Sequence, residues 1–414
     1  MAASLSKIVI LISIVAISAM APVAPEAANV IWLASGLTGL FLLRRKDVAL
    51  LRRPVVWMSL AALSLMAIAY VAGSRSLGGL IGLVYFVPLF VIWPLMAAAK
   101  RAAAAGPGLG SGQWSLLLGV LGLCGVAGAA VIAINEVATT MTERAGGTVA
   151  NPIHFADVAL LAGALSTAGL LSGNRARYVF LLGPVLALGA VILSGTRGAV
   201  VAAAVMLLTA IAVAAMLRLI SLKAVLLLIG SFVVVGVVGA LLGASQLSGI
   251  QRVLADFGDV VRTGLPTDHS TSLRLQMYLG GLRAFMQSPI YGHGPMDFTS
   301  VAGALADTPF QNVPHLHNDL ADFAASAGII GLVVYALLML APIAEVASAP
   351  ASRAKYELLV LVITLVTGFV VMGLTNAMFG ILNVTTSYAG LSVIAGLLAG
   401  SITNEHQVGR LQNP

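Results

Sequence analysis

Two imidazoles, an amide and a carboxylate stand within five positions in the run His315-Leu316-His317-Asn318-Asp319. Imidazole exchanges a proton near neutral pH and is the commonest general base in enzymes. The same run allows a second interpretation, because two imidazoles and a carboxylate can bind zinc or manganese. Metal hydrolases use further Asp and His ligands on a mixed α/β scaffold, and none is evident in the sequence. A general base is therefore the favoured interpretation.

Three arginines provide complementary chemistry: Arg197 in the glycine-flanked turn 194–198, and Arg274 and Arg283 in a segment with helical spacing. A guanidinium is a planar fork of donors that binds two phosphate oxygens at once, whereas a lysine ammonium is a point charge. Glycines beside Arg197 allow a large head group to approach closely. Anchoring at the membrane interface is the alternative for Arg197, and a solvated helix face is the alternative for Arg274. The pattern is suited to binding a phosphate.

The elements that must position these groups are membrane helices. Hydrophobic residues make up 59% of the 414 residues and charged residues 9%, whereas soluble domains carry about 25% charged residues. Unbroken apolar runs such as 225–242 differ from the alternating polarity of outer-membrane barrels. Because a bilayer crossing needs about 20 apolar residues, the sequence predicts an all-α, polytopic membrane protein with about 12 transmembrane helices. They are expected at 7–23, 27–43, 54–72, 77–97, 113–134, 155–172, 178–194, 198–217, 223–243, 328–346, 357–377 and 384–401.

The charges between the spans predict an orientation. With a cytoplasmic N-terminus, the inner segments hold 15 of the 22 basic residues, including all five lysines, and carry a net charge of +11. Positive charge concentrates on the cytoplasmic side of membrane proteins. The overall charge of +7 is thus an orientation signal rather than a nucleic-acid footprint. All seven outer basic residues are arginines.

A long outer segment, 244–327, divides the chain into helices 1–9 in 1–243, a loop or lid, and helices 10–12 with a cytoplasmic tail in 328–414. Apolar spacing predicts two amphipathic helices in this loop, one over 250–261 and one over 275–285 after a cap at Ser272. Four of the five outer histidines lie in the same loop. We therefore expect it to carry the catalytic motif.

The single cysteine and the N-terminal apolar segment limit the possible sites and the number of spans. Cys124 is the single cysteine, so neither an intrachain disulfide nor a multi-cysteine metal site is available. Residues 1–20 have an alternative interpretation as a signal peptide, because Lys7 precedes a short apolar core and small residues. Cleavage there would leave eleven spans and the same orientation downstream.

His317-Asn318, nine residues, Gly328, two residues and Gly331 are similar to the H-[NSQ]-x9-G-x-x-G signature of the O-antigen ligase and polymerase superfamily. Arg283, ten residues and Gly294 are similar to the looser R-x10-G pattern of that group. A long outer loop before the tenth of twelve spans also resembles the family. The likeness covers most of the chain as architecture, whereas the motifs occupy only 274–331 and the Arg197 turn.

The resemblance implies glycosyl transfer on the periplasmic side of the bacterial inner membrane from an undecaprenyl diphosphate-linked glycan, without metal or cofactor. Carried onto this chain, it makes His317 the general base and Arg197 and Arg274 the diphosphate ligands. Further candidates for substrate binding are His315, Asn318 and Arg283. In-line displacement of the diphosphate would invert the anomeric centre.

One dominant outer loop favours a ligase that moves the glycan onto lipid A-core, because polymerases of this group often have two sizeable outer loops. A polymerase that extends the lipid-linked glycan remains an alternative, as does a protein-glycosylating relative. The expected partners are the glycan donor, lipid A-core and membrane lipids, without nucleic acid.

The main rival from a different class is a twelve-span transporter. Transporters usually mark a midplane site with intramembrane charge or broken helices. Here Asp157 and Glu345 lie only at the ends of predicted spans, which favours the enzyme.

Overall fold

The structure is a computed structural model that describes residues 2–104, 109–140, 144–149, 151–221 and 268–412, with single positions between 223 and 262. Every regular element in this part of the chain is helical, so the predicted all-α class is confirmed. The α-helices are α1 (Ala2–Val15), α2 (Pro25–Phe41), α3 (Pro54–Ser74), α4 (Val87–Phe90), α5 (Ile92–Ala104), α6 (Ser111–Thr140), α7 (Pro152–Ser166), α8 (Leu182–Ser194), α9 (Arg197–Met216), α10 (His269–Gln287), α11 (Gly294–Leu305), α12 (Asp319–Ala347), α13 (Arg353–Gly373) and α14 (Leu382–Gln412).

Ten helical segments among the described residues are long and apolar enough to cross a membrane, and they coincide with ten of the predicted spans. The predicted second span, 27–43, corresponds to α2, which has 17 residues and is at the short end of what crosses a bilayer. The predicted ninth span, 223–243, lies outside the described residues except for single positions. The chain is a polytopic membrane protein.

Contacts at each end of the helix bundle show which of the segments between membrane helices lie on the same side of the bundle. At one end, Arg53 pairs with the fully buried Glu345, and Arg101 pairs with the buried Asp47. All four residues belong to segments predicted to be cytoplasmic. At the other end, which we call the lid end, the start of α11 packs against the last residues of α3. These contacts agree with the predicted alternation of the segments between two sides.

Residues 268–318 form a small helical unit at the lid end, which we call the lid unit. It has its own apolar core, in which Met277 of α10, Phe298 of α11 and Leu316 contact Ala325 of α12. Burial of these side chains holds α10 and α11 against the start of α12, because the apolar face of a short helix is stable only when it is covered.

The lid unit differs from the prediction in its details. α10 begins at His269 rather than after a cap at Ser272, because the Asp268 carboxylate accepts a hydrogen bond from the Thr271 amide and caps the helix. α11 was not predicted, although proline is favoured in the first turn of a helix and Pro295 occupies that position here. The other predicted loop helix, over 250–261, lies outside the described residues except for single positions.

α12 is interrupted at Gly328, where the chain turns sharply. Gly328 has φ 64° and ψ −149°, a conformation that is favourable only for glycine. A Cβ atom at this position would lie 2.7 Å from the Pro289 carbonyl oxygen, and the Ile329 amide donates to the same oxygen at 2.8 Å. The nine residues before the turn belong to the lid end, and the part after it is the tenth span predicted at 328–346.

Candidate active site

The His-Asn motif lies in the turn that begins α12. His317 has φ 55°, in the left-handed region that few residues other than glycine adopt. The Asn318 side-chain oxygen accepts from the Ala321 amide at 3.1 Å and caps the helix, and its Nδ2 donates to the Leu374 carbonyl at 3.2 Å. Asn318 therefore ties the turn before α12 to the residue that follows α13. The backbone that carries the His317 imidazole is fixed by these hydrogen bonds.

The two imidazoles of the motif contact each other edge to face. Their ring centroids are 4.3 Å apart with an interplanar angle of 77°, and the His317 amide donates to His315 Nδ1 at 3.3 Å. Burial, with the positive charge of Arg274 second, lowers the pKa of His317 to about 4. Burial lowers the pKa of His315 to about 3. Both rings are neutral at pH 7, so His317 is in the state that accepts a proton.

Asp319, the third member of the His-x-His-x-Asp run, does not join the two histidines. Its buried carboxylate accepts hydrogen bonds from the backbone amides of Met378 at 2.8 Å and Phe379 at 3.3 Å, so the side chain ties α12 to the turn before α14. Within the described ranges, no three His, Cys, Asp or Glu side chains are arranged to hold a metal ion. His315, His317 and Asp319 therefore do not converge as a set of metal ligands.

Arg274 and Tyr278 lie one turn apart on α10, so both side chains point to the histidine turn. Tyr278 Oη is 3.2 Å from the His317 carbonyl oxygen and 3.1 Å from that of Leu374, and it donates to one of them at a time. The half-buried Arg274 has neither a hydrogen-bond nor an ion-pair partner in the described part of the chain. Its charge is nevertheless close enough to lower the pKa of both histidines.

Arg197, the first residue of α9, lies beside the start of α10. Its guanidinium donates to both carboxylate oxygens of Asp268 at 3.2 Å and to the Thr271 hydroxyl at 3.2 Å. Hydrogen bonds from Arg197 are the main reason that the pKa of Asp268 falls to about 2. Because Thr271 and Arg274 are one turn apart on α10, the structure brings Arg197 and Arg274 to the same side of that helix.

Arg283 does not join this group. It lies nine residues after Arg274 on α10, which places it on the opposite face of the helix. Its exposed guanidinium forms an ion pair with Asp307 at 2.7 Å and donates to the Leu305 carbonyl at 2.7 Å. The structure therefore gives Arg283 contacts within the lid unit rather than contacts with the histidine turn.

Sequence reasoning missed three polar residues that converge beneath the histidines: His154 and Asp157 on α7, and Asn376 after α13. Asn376 Nδ2 donates to Asp157 Oδ2 at 2.9 Å and lies 3.3 Å from His154 Nδ1. Asp157 and Asn376 are each only 1% exposed. A carboxylate near the end of an apolar span was the available signal, because such groups are rarely buried without a partner.

The arrangement combines a neutral imidazole with two guanidinium groups at one end of a helix bundle. It can accept a proton from a hydroxyl and bind a polyanionic leaving group within a single site. These features define the class: a polytopic membrane protein with imidazole and guanidinium groups gathered at one end of its helix bundle.

The comparison with known families agrees with this class. Residues 182–336 match the sequence model of the family described as O-antigen ligase, and this match supports the resemblance to the O-antigen ligase and polymerase superfamily. The matched region contains Arg197, Arg274, Arg283 and the motif from His317 to Gly331. Curated proteins yielded no match to the chain. The match supports a glycosyltransferase-like enzyme of the ligase or polymerase type.

Proposed function

We propose that this protein is an O-antigen ligase that transfers a glycan from undecaprenyl diphosphate to a sugar hydroxyl of lipid A-core. The observation that carries the proposal is the open guanidinium of Arg274 beside the neutral, half-buried imidazole of His317. A diphosphate bound to Arg274 places the anomeric carbon of the donor close to a proton acceptor. Such proximity is the main requirement for displacement at a sugar carbon.

The donor diphosphate binds between α9 and α10 in this proposal. Arg274 has an open set of donors for phosphate oxygens, and Arg197 exchanges Asp268 for the diphosphate when the donor arrives. A phosphate can compete for this position because the Arg197–Asp268 pair is partly exposed, with side chains 21% and 31% accessible. The prenyl tail lies against the apolar surfaces of the spans.

The chemical step forms one bond and breaks another at the anomeric carbon. His317 takes the proton of the acceptor hydroxyl as its oxygen attacks, and the bond to the diphosphate oxygen breaks with its electron pair. Arg274 and Arg197 stabilise the charge that develops on the leaving diphosphate, as preorganised donors do in other transfer reactions. Attack from the face opposite the leaving group inverts the anomeric centre.

The site faces the periplasm of a bacterial inner membrane in this proposal. The support is the charge distribution, because the basic segments with Arg53 and Arg101 lie at the opposite end of the bundle from the lid unit. Positively charged segments favour the cytoplasmic side. A periplasmic lid end meets both the lipid-linked donor and the lipid A-core acceptor.

The test uses purified protein with a lipid-linked glycan and either lipid A-core or additional donor. Transfer to lipid A-core is expected, and activity should survive EDTA. His317→Ala should lower the rate about 10²- to 10⁴-fold, the usual contribution of a general base. The matched control is His406→Ala, which removes a histidine from α14 near the other end of the bundle. Growth of the donor lipid alone would identify a polymerase, and a fully active His317→Ala would remove His317 as the base.

A further inference from the structure

Two buried polar atoms near the reaction centre have complementary chemistry and no partner. His317 Nδ1 and Asn376 Oδ1 are each inaccessible to solvent and lack a hydrogen-bond partner in the described part of the molecule. An unpaired buried polar atom is costly and calls for an explanation. An amide oxygen only accepts, and imidazole Nδ1 donates in one of its two neutral tautomers. The Asn376 side chain is close enough to the His317 ring to affect its pKa, so the two atoms are complementary partners when His317 carries its proton on Nδ1.

The Asn376 side chain is held in place by two contacts of its amide nitrogen. Its Nδ2 is bound to Asp157 Oδ2 at 2.9 Å and lies 3.3 Å from His154 Nδ1. Both partners come from α7, whereas Asn376 follows α13. The Asn376 amide nitrogen donates to Asp157, which leaves Oδ1 to face elsewhere.

The surroundings of His317 make its tautomer important. Its ring is faced by Arg274 on α10, by His315 in its own turn, and by His154 on α7 beside Asp157. Burial and Arg274 lower the pKa of His317, and the nearby Asn376 amide opposes this effect. A general base with two ring nitrogens is effective only when the nitrogen that faces the substrate carries the lone pair.

We propose that Asn376 is a positioning residue: its amide oxygen accepts the Nδ1 proton of His317 and leaves Nε2 as the proton acceptor for the incoming hydroxyl. Asp157 anchors the amide and acts through it. The role resembles the orienting group of a catalytic triad, which selects the tautomer of the histidine without reacting. This inference rests on the proposed function for the identity of the reaction, but the tautomer is a property of the protein alone.

The first test is therefore independent of transfer. Protein labelled with ¹⁵N-histidine is titrated by NMR, and the His317 signal is identified as the one that disappears in His317→Gln. The expected result is a neutral ring protonated on Nδ1 in the wild type. In Asn376→Leu, which has similar volume without polar atoms, the ring should shift toward the other tautomer and its pKa should fall. An unchanged tautomer in Asn376→Leu would overturn the proposal, even if the enzyme transfers glycans as proposed.

The second test measures kinetics in the same variants. Asn376→Leu should lower kcat roughly 10- to 100-fold, the effect of a misplaced catalytic group, with an unchanged KM for the donor. Asn376→Asp keeps an accepting oxygen and should restore part of kcat. Wild-type kcat in Asn376→Leu would also overturn the proposal, whereas an inactive wild-type enzyme with the expected NMR result would overturn only the proposed function.

A matched control separates positioning from packing. Asn383 is another amide seven positions along the chain, and it accepts from Asn29 rather than from any group of the site. Asn383→Leu should leave the His317 tautomer and the KM for the donor unchanged, even if the melting temperature falls. If Asn376→Leu does not fold, Asp157→Ala frees the Asn376 amide without changing it. That variant should give a mixture of tautomers, and a pure Nδ1-protonated ring would contradict the role of Asp157.

Discussion

An arginine without a counter-ion is unusual beside a membrane, because a half-buried charge normally has a partner. Arg274 has none among the described residues, whereas Arg197, Arg283 and Arg53 are each bound to a carboxylate. In the proposed function, the donor diphosphate is the partner of Arg274. The neutral state of the two histidines has a different main cause, because burial lowers both pKa values and the charge of Arg274 adds to this effect.

A substitution that keeps the charge of Arg274 tests whether its guanidinium must bind two phosphate oxygens at once. Arg274→Lys should lower kcat/KM for the lipid-linked donor about 10- to 100-fold, because an ammonium cannot bind two phosphate oxygens in a plane and each charge-assisted hydrogen bond contributes about 1.5–3 kcal/mol. Steady-state kinetics with the purified enzyme measures the loss. The exposed Arg283→Lys, on the opposite face of α10, is the control and should have little effect on the rate. A normal rate for Arg274→Lys would show that a point charge is sufficient.

His317 and Arg274 together determine the pH at which activity is lost on the acid side. His317 must be neutral to act as a base, so kcat/KM should stay constant below neutral pH and fall only near pH 4, where the lowered pKa of His317 lies. Arg274→Gln removes a positive charge that lowers this pKa and should move the acid limb to higher pH. Arg274→Lys should leave the limb in place while lowering the rate. Identical limbs in the Gln and Lys variants would contradict the electrostatic coupling.

Among the elements, α12 determines how the motif is presented. His317 and Asn318 lie in the capped turn directly before α12, its first nine residues belong to the lid end, and the remainder crosses the membrane after the break at Gly328. The second glycine of the motif has a packing role as well, because a Cβ on Gly331 would collide with the Phe323 carbonyl oxygen. The spacing of the signature therefore describes a sharp turn that returns the chain from the lid end into the bundle.

Gly328→Ala should destabilise this turn. The positive φ and the contact with Pro289 together predict a loss of roughly 1–3 kcal/mol, the usual cost of a residue in a disfavoured backbone conformation. Thermal unfolding in detergent and the transfer rate should both decrease. Gly189→Ala is the matched control, because a Cβ at that position in α8 meets no atom within 4 Å and alanine favours a helix. Equal melting temperatures for the two variants would show that the turn tolerates a side chain.

In the protein as a whole, two sets of polar contacts lie at opposite ends of an apolar bundle. The ion pairs Arg53–Glu345 and Arg101–Asp47 stabilise the basic end, and the histidine and arginine groups occupy the lid end. Removing one partner of a buried pair leaves an uncompensated charge. In the proposed function, the basic end faces the cytoplasm and the lid end faces the periplasm.

Cysteine labelling tests that orientation directly. In a background in which Cys124 is replaced by alanine, Gln311→Cys at an exposed position of the lid unit should react with a membrane-impermeant maleimide in intact spheroplasts. Lys46→Cys, exposed at the basic end, should react only after permeabilisation. The reverse result would place the histidine turn in the cytoplasm and end the proposal of periplasmic transfer.

The amino-acid sequence was sufficient for the helical class, for most spans and for the chemical types at the site. The reason is that a bilayer imposes a local rule, a long apolar run for each crossing, and that imidazole and guanidinium have distinctive chemistry wherever they occur. Helix starts were less certain, because Asp268 and Ser272 are both acceptable caps and only one of them meets the free amides of α10.

Only the tertiary structure decided which of those groups meet. Asp157 and Asn376 are 219 positions apart, and no local pattern connects an amide after one span with a carboxylate on another. The faces of α10 likewise separate Arg274 from Arg283, although both lie in one apolar-spaced segment. Long-range packing places side chains from α7, α9, α10 and the turns around α12 and α13 in a single site, and such contacts depend on how helices are arranged in space rather than on the sequence around each residue.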